Sequence, residues 1–502
     1  MVEAVVDQDL IPEREEVEIL GKRAVKGAVV LTSRKFLLQA LSYLGSIFLA
    51  RILTPQIFGV FAIVSFVITF FSFFADAGLG AALIQKKGKL DKDDLRIAFT
   101  LQQSVVTILI VLIFILSPLI VRHYQLASDM VWLIRAFSLS LFLTSLKTIP
   151  LILLERKLKF GRVVIPEIVE VISFQVLAVS LAFLGFGVWS FVIALLVRTG
   201  LGVITLYLVS PWKPGLSWNF SKAKKLLAFG MPYQANGFIA MVKDAVMPVF
   251  VGTVCGAQAV GYLNWANSFS KLPILLMSDI FRITFPGFAR IQGNKKLLKV
   301  ALEKTLKFTN MFLFPAVFLL IATVGKIVHF VFTDKWLPGL PAFYMHSLGI
   351  LVVGIANTFM NAFWSCGKVK IATRLMIIYT LVNWGVSVPL VYKLGFNGAM
   401  LGSVVVLFLS LPLNIYYMRK IIEIKIFENI WASFLAALLA GGATFLVSQR
   451  LVVNLFSLIL VLVGGGLFYL FFLSVFEGKK LIKEIYWIMG KLGFKHGING
   501  KK

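Results

Sequence analysis

The 502-residue chain is poor in metal ligands, with two cysteines and four histidines. Cys255 and Cys366 lie far apart, and His123, His329, His346 and His496 are scattered. No metal-ligand spacing and no disulfide framework follow from them, although His346 suits a polar core position. Charge is also scarce. Charged residues make up 15% of the chain, against about 25% in an ordinary soluble domain. Acids are the rarer sign, at 23 against 50 Lys and Arg. Neither G-x-x-x-x-G-K-[ST] nor H-E-x-x-H occurs, so the chain has no ATPase loop and no zinc-protease helix. No cofactor is expected.

What fills the chain instead is apolar: 59% of residues are hydrophobic, in long runs separated by short loops. A soluble helical protein would need a polar exterior, which this composition cannot supply. The expected fold is all-α and polytopic, with about fourteen transmembrane helices. The formal charge of +27 lies between apolar runs, which is membrane topology and not a nucleic-acid face. About 35 of the 50 Lys and Arg fall in every second connection, against four in the alternate loops. Positive-inside bias therefore places both termini in the cytoplasm, and the expected location is the cytoplasmic (inner) membrane. Every outer loop is short, which leaves no room for the external carboxylates of a membrane glycan-assembly enzyme.

Two stretches echo each other. Leu53–Gln85 shares its pattern with Cys255–Gln292, aligning Gln56 and Gly59 with Gln258 and Gly261, and Asp76 with Asp279. LGFGVWSFVIALL from Leu184 echoes LGFNGAMLGSVVV from Leu394. Two echoes in the same order imply two homologous halves. The expected organisation is an acidic cytoplasmic tail over 1–27, six-helix bundles over 28–209 and 226–420, two further spans within 430–476, and a basic cytoplasmic tail over 477–502. Parallel repeats of this kind hold their substrate at the repeat interface.

Polar residues inside the spans repeat with helical spacing. Span 1 aligns Lys35 and Gln39, span 2 aligns Ser65, Thr69, Ser72 and Asp76, and span 7 sets Asn236 with Lys243. Span 8 lines up Asn264, Ser268, Lys271, Ser278 and Arg282, with Asp279 adjacent. These stripes predict an aqueous cleft lined by spans 1, 2, 7 and 8. Its cations would be Lys243, Lys271 and Arg198 at mid-depth, with Arg34, Lys35 and Arg282 nearer the cytoplasm. Ammonium and guanidinium groups suit an anionic head group. Each cation also has a plainer reading, such as Lys271 paired with Asp244, or Asp279 with Arg282 at i, i+3. Asp76, Asp244 and Asp279 are gating or coupling candidates. Glu167 and Glu170 are expected to pair with Arg156, Lys157 or Arg162. Arg51, Arg135, Lys147, Lys307 and Lys326 lie near span ends and are expected to snorkel. Pro232, Pro248, Pro273, Pro286, Pro315 and Pro389 are expected to loosen their helices.

The strings LTPQIFGVFA (Leu53–Ala62), FADAGLGAALIQ (Phe74–Gln85), VGYLNWANSFSKLP (Val260–Pro273) and FPGFARIQ (Phe285–Gln292) resemble the multidrug/oligosaccharidyl-lipid/polysaccharide exporter superfamily, and within it the Wzx-type polysaccharide flippases. The similarity covers about residues 28–420, and the last two spans depart from twelve-span relatives. The resemblance implies a transporter, not an enzyme. Its substrate would be a polyprenyl-pyrophosphate-linked glycan moved between leaflets by alternating access, with polysaccharide polymerase machinery as a further partner. A cation-coupled drug or metabolite exporter is the alternative, and it would want a more acidic cavity.

Overall fold

The computed structural model describes residues 37–76, 78–85, 90–156 and 159–478. The two expected tails lie outside the described residues. Every regular element among the described residues is helical. In lipid each backbone N–H and C=O must be satisfied within its own segment, and for an apolar chain that means helices. Eleven helices among the described residues are long and apolar enough to span a membrane. The other three expected spans are accounted for differently. The first is represented by the shorter helix Leu37–Ile52 (α1). The seventh lies in the first part of Phe220–Ser270, and the eighth is divided between the rest of that helix and Leu272–Ile291.

The chain forms two compact units. The first takes the residues up to Leu53 and then Val64–Met241. It holds α1, most of α2 (Pro55–Asp76), α3 (Leu79–Gln85), α4 (Lys92–His123), α5 (Met130–Arg156), α6 (Phe160–Phe183), α7 (Trp189–Val209) and the start of α8 (Phe220–Ser270). The α4 helix opens with a capping box, in which the Asp91 N–H donates to Asp94 Oδ2 at 3.1 Å. Satisfying first-turn donors in this way starts the helix at its polar end. Within this unit α7 packs on both α5 and α6, and α4 packs on α5.

The second unit takes Thr54–Ile63 and everything from Val242 onward. It holds the rest of α8, then α9 (Leu272–Ile291), α10 (Lys295–Ile327), α11 (Leu340–Ser365), α12 (Val369–Leu394), α13 (Phe396–Arg419), α14 (Ile426–Leu451) and α15 (Leu455–Glu477). Unit boundaries therefore differ from the expected bundle ends: the opening of α2 belongs with the second unit, and 220–241 belong with the first. Inside the second unit α8 is two helices joined at Gly256 (φ 81°, ψ 172°), a left-handed backbone that costs an L side chain and suits glycine. The opening of α2 crosses the segment after this kink at Gly59 and Gly261. A Cβ on Gly59 would strike the Ala257 carbonyl, and a Cβ on Gly261 would strike the Pro55 carbonyl.

Prolines inside three helices share one solution. A proline has no N–H, so the carbonyl four residues earlier loses its helical donor. Pro118 frees the Phe114 carbonyl, which accepts from Arg135 Nη2 at 3.3 Å. Pro150 frees that of Leu146, which accepts from the Tyr207 hydroxyl at 3.2 Å. Pro315 frees that of Met311, which accepts from the Tyr469 hydroxyl at 2.7 Å. A neighbouring helix supplies the missing donor each time, so these prolines bind their helices to neighbours as well as loosening them. Arg135 also donates from Nε to Ser117 Oγ at 3.1 Å and lies over the Trp132 ring at 5.0 Å. It is anchored inside the unit and does not snorkel.

The last two helices are built into the second unit. The α10 helix packs along α14 and also touches α15. Gly441 lies flush against Phe318, and Ser448 Oγ donates to the Ala322 carbonyl at 3.4 Å. Lys307, 8% exposed, pairs with Glu477 at the end of α15. The expectation that Lys307 snorkels is corrected. Its ammonium is held at low dielectric, where an opposite charge in contact is worth more than a distant water layer.

Candidate functional site

Residues 257–270, the second part of α8, carry two distinct faces. Tyr262, Trp265 and Phe269 fall at i, i+3, i+7 and pack into an aromatic core. Trp265 stacks on Trp336 with centroids 5.7 Å apart, Phe269 meets Phe332 edge-on at 5.2 Å, and Phe58 meets Trp336 at 5.3 Å. Trp336 is fully buried. Aromatic pairs of this geometry add to area burial and fix the helix rotation. That rotation turns Asn264, Ser268 and Lys271, at i, i+4, i+7, to the exposed side. The stripe expected from spacing is therefore present along this segment.

The stripe ends at a break. Ser270 closes one helix and Lys271 is the N-cap of α9, with Pro273 in its first turn. Buried Ser270 is tied to buried His346, with Oγ 2.7 Å from Nδ1. His346 is thus a satisfied core residue, and it fixes the bend that positions Lys271. An ammonium at the end of a polar stripe, on a rigid bend, can meet an anion that the neighbouring Asn and Ser then orient by hydrogen bonds.

In the first unit Gln39 is half-buried and hydrogen-bonded to Tyr43. Ser72 is half-buried on α2, one turn from exposed Thr69, whose hydroxyl donates to the Ser65 carbonyl at 2.7 Å. The charges of this unit are arranged differently from expectation. Arg198 Nε lies 3.5 Å from Glu170 Oε2, and its guanidinium lies 5.6 Å from the Phe174 ring centroid. Lys147 Nζ donates to Glu170 Oε1 at 2.7 Å. One carboxylate from α6 thus bridges cations from α5 and α7. Three expectations change: Arg198 is an ion-paired residue within its unit, Lys147 does not snorkel, and Glu170 pairs with these two and not with the basic loop. The reason is proximity in a low-dielectric bundle, where a carboxylate takes the nearest cations. Arg156 instead donates to the Leu83 carbonyl at the end of α3.

Several candidates lie outside the described residues: Arg34 and Lys35 entirely, and the side chains of Asn236, Lys243 and Asp244 in α8, Asp76 in α2, and Asp279 and Arg282 in α9. Lys147, Glu170, Ser270 and the Lys307–Glu477 pair escaped sequence reasoning as site-shaping groups. For the Lys147 cluster the only signal was three ionisable residues in three consecutive spans. For Lys307 and Glu477, 170 residues apart, there was none.

Residues 48–341 match the family described as "Polysaccharide biosynthesis protein". The chain is 24% identical over 290 residues to the teichuronic acid biosynthesis protein TuaB of Bacillus subtilis (strain 168), covering 57% of this chain and 59% of that one. It is 23% identical over 313 residues to the succinoglycan biosynthesis transport protein ExoT of Rhizobium meliloti (strain 1021), covering 62% and 63%. The matches thus span about three-fifths of these relatives' length. Among solved structures, the lipid II flippase MurJ in an inward closed conformation superposes with a TM-score of 0.76 at 18% identity, covering 90% of this chain and all of that one. The fold is therefore MurJ-like, a bundle of many membrane-spanning helices. With more than half its length matched, the chain belongs to the polysaccharide biosynthesis protein family.

Proposed function

We propose that this protein is a flippase, moving polyprenyl-pyrophosphate-linked oligosaccharide units across the cytoplasmic membrane for surface polysaccharide synthesis. The observation that carries the reading is the exposed Asn264–Ser268–Lys271 stripe, ending at a bend held by Ser270 and His346. A membrane span that exposes an ammonium and two hydrogen-bonding side chains is arranged for a polar, anionic cargo. Kinship with TuaB and ExoT, one named for teichuronic acid biosynthesis and the other for succinoglycan transport, supports a glycan, and the MurJ-like fold supports a lipid-linked one. Lys243, Arg282, Arg34 and Lys35 are further head-group candidates, with Gln39, Ser72 and Asn236 as polar lining. Asp76, Asp244 and Asp279 remain the gating or coupling candidates. Arg198 is assigned to the Glu170 cluster instead. Alternating access exposes the head group to one side at a time while the prenyl chain stays in lipid. Both termini sit in the cytoplasm, and polymerase machinery takes up the delivered unit.

Reconstitution tests this reading. Protein-dependent transfer of a polyprenyl-pyrophosphate-linked sugar between leaflets of proteoliposomes supports it, and loss of transfer in Lys271→Ala with normal folding ties it to the stripe. Efflux of a cationic dye without lipid transfer would replace it with the drug-exporter reading.

A further inference from the structure

The segment joining α7 to α8, residues 210–219, is a strap without regular secondary structure, and its exposure alternates from 214 to 218. The Ser217 N–H donates to Thr100 Oγ1 at 3.0 Å, and Trp212 meets Phe99 edge-on at 5.2 Å. Ser210 Oγ donates to the Pro150 carbonyl at 3.2 Å, and Gly215 lies flush against Arg96. These contacts pin the strap to the first turns of α4, through Arg96, Phe99 and Thr100, and to α5, through Pro150. On either side of pinned Ser217 and on into α8, Leu216, Trp218 and Phe220 turn outward and are 74%, 61% and 73% exposed. Three large apolar side chains in a row on one edge are costly in water and at home in an acyl-chain boundary, where tryptophan in particular concentrates.

Beside them lies an open cavity of about 530 Å³, lined by Leu101, Trp218, Phe220, Ala223, Leu227 and Lys224. Its wall is apolar apart from one cation. Arg96 and Lys213 are also exposed in this region. Among the described residues none of Arg96, Lys213 and Lys224 forms an ion pair, whereas Lys222 is held by buried Asp94 at 3.8 Å. Asp91 and Asp93 are exposed at the start of α4, and the cations beyond them are Arg96 on the next turn of α4, Lys213 on the strap and Lys224 at the opening of α8.

We propose that this cavity is a binding site for an anionic phospholipid of the surrounding bilayer. An acyl chain enters among Leu101, Ala223 and Leu227. The headgroup phosphate meets Lys224 and Arg96, while Leu216, Trp218 and Phe220 dip into the leaflet beside it. The site holds the connection between the sixth and seventh spans to the membrane surface. It lies wholly within the first unit and does not depend on what the protein transports.

Native mass spectrometry of the full chain in mixed micelles tests it, with phosphatidylglycerol and phosphatidylcholine as probes. Wild type should retain phosphatidylglycerol preferentially. Each basic residue near a membrane surface contributes about fivefold to anionic-lipid affinity, so K224E with R96E should lose preference by well over tenfold. Melting temperature and phosphatidylcholine retention should stay unchanged. Should the double variant not fold, K224Q alone should lower the preference about fivefold. Trp218→Ala should weaken retention of both lipids. Equal retention of both lipids by wild type, or unchanged preference in the folded charge variants, would overturn the proposal. Displacement of phosphatidylglycerol by millimolar inorganic phosphate would overturn it too, marking an anion site that ignores the acyl chain.

Discussion

Gly59 and Gly261 lie against each other's helices reciprocally: the space of a Cβ on Gly59 is filled by the carbonyl of Ala257, and that on Gly261 by the carbonyl of Pro55. Each carbonyl comes from the residue four positions before the other glycine. The contact is a local two-fold, made by residues that the internal repeat had already placed in equivalent positions. Two helices approach this closely only where neither has a side chain. Gly59→Ala or Gly261→Ala must push the backbones apart, at a cost of about 1–3 kcal/mol each. Thermal melting of the purified variants checks this. The double variant should lose less than the sum, because the first substitution already opens the crossing.

Lys271→Ala should abolish lipid-linked glycan transfer while leaving the melting temperature unchanged, since Lys271 is exposed and the bend is held by Ser270 and His346. Lys271→Arg should keep part of the activity. His346→Ala should do the reverse of a binding variant: it removes the partner of a buried hydroxyl, costing about 1–3 kcal/mol, and lowers transfer by moving Lys271. Transfer by Lys271→Ala at the wild-type rate would remove the stripe from the mechanism.

The Glu170 cluster predicts an order of effects. Glu170→Ala strands two cations, Lys147→Ala leaves one pair, and Arg198→Ala removes the longer and more exposed contact. Removing one partner of a buried pair costs about 3–5 kcal/mol, and Glu170→Ala should fall in that range. Arg198→Ala should cost least. Lys147→Met with Glu170→Leu should recover part of the loss in melting temperature, because an apolar pair restores packing and only the more exposed Arg198 is left without its carboxylate.

Tyr469→Phe should cost about 1–3 kcal/mol, the price of leaving the Met311 carbonyl without a donor. Pro315→Ala restores the helical N–H, so Tyr469→Phe in that background should be nearly silent. Melting of the four proteins of this cycle isolates the coupling. Tyr207→Phe and Pro150→Ala offer the same cycle in the first unit.

Cys366 lies just past the end of α11. Burial raises its thiol above the ordinary range, opposed by the Ser365 hydrogen bond and the Lys368 charge. The thiolate is the reactive form, so alkylation of Cys366 at neutral pH should be slower than that of a free thiol and should keep rising with pH beyond the ordinary cysteine midpoint. Mass-spectrometric labelling of the native protein between pH 7 and 10 checks it.

Helix content and span positions were legible because lipid imposes one backbone solution on long apolar runs. The Asn264–Ser268–Lys271 stripe was legible for a similar reason: helical spacing alone brings those residues to one face. Even the Gly59–Gly261 crossing was latent in the repeat, since equivalent residues of two homologous helices are the ones a local two-fold brings together. The fate of single charges was not legible. Whether Arg198 faces a cargo or a carboxylate depends on the rotation of α6 relative to α7, which apolar periodicity leaves open when both helices are apolar on every side. The donors for the proline-freed carbonyls were equally hidden, because Tyr469 reaches Met311 across 158 residues.

Separations of this size set a schedule for biosynthesis. Lys307 leaves the ribosome 170 residues ahead of Glu477. At about 5–20 residues per second, the nascent chain carries α10 into the membrane roughly 10–30 s before its counter-ion exists. The Met311 carbonyl waits nearly as long for Tyr469. The tenth helix is therefore finished by the fifteenth: a chain halted before Glu477 lacks the carboxylate that pairs with Lys307, and one halted before Tyr469 also lacks the hydroxyl that caps the Met311 carbonyl.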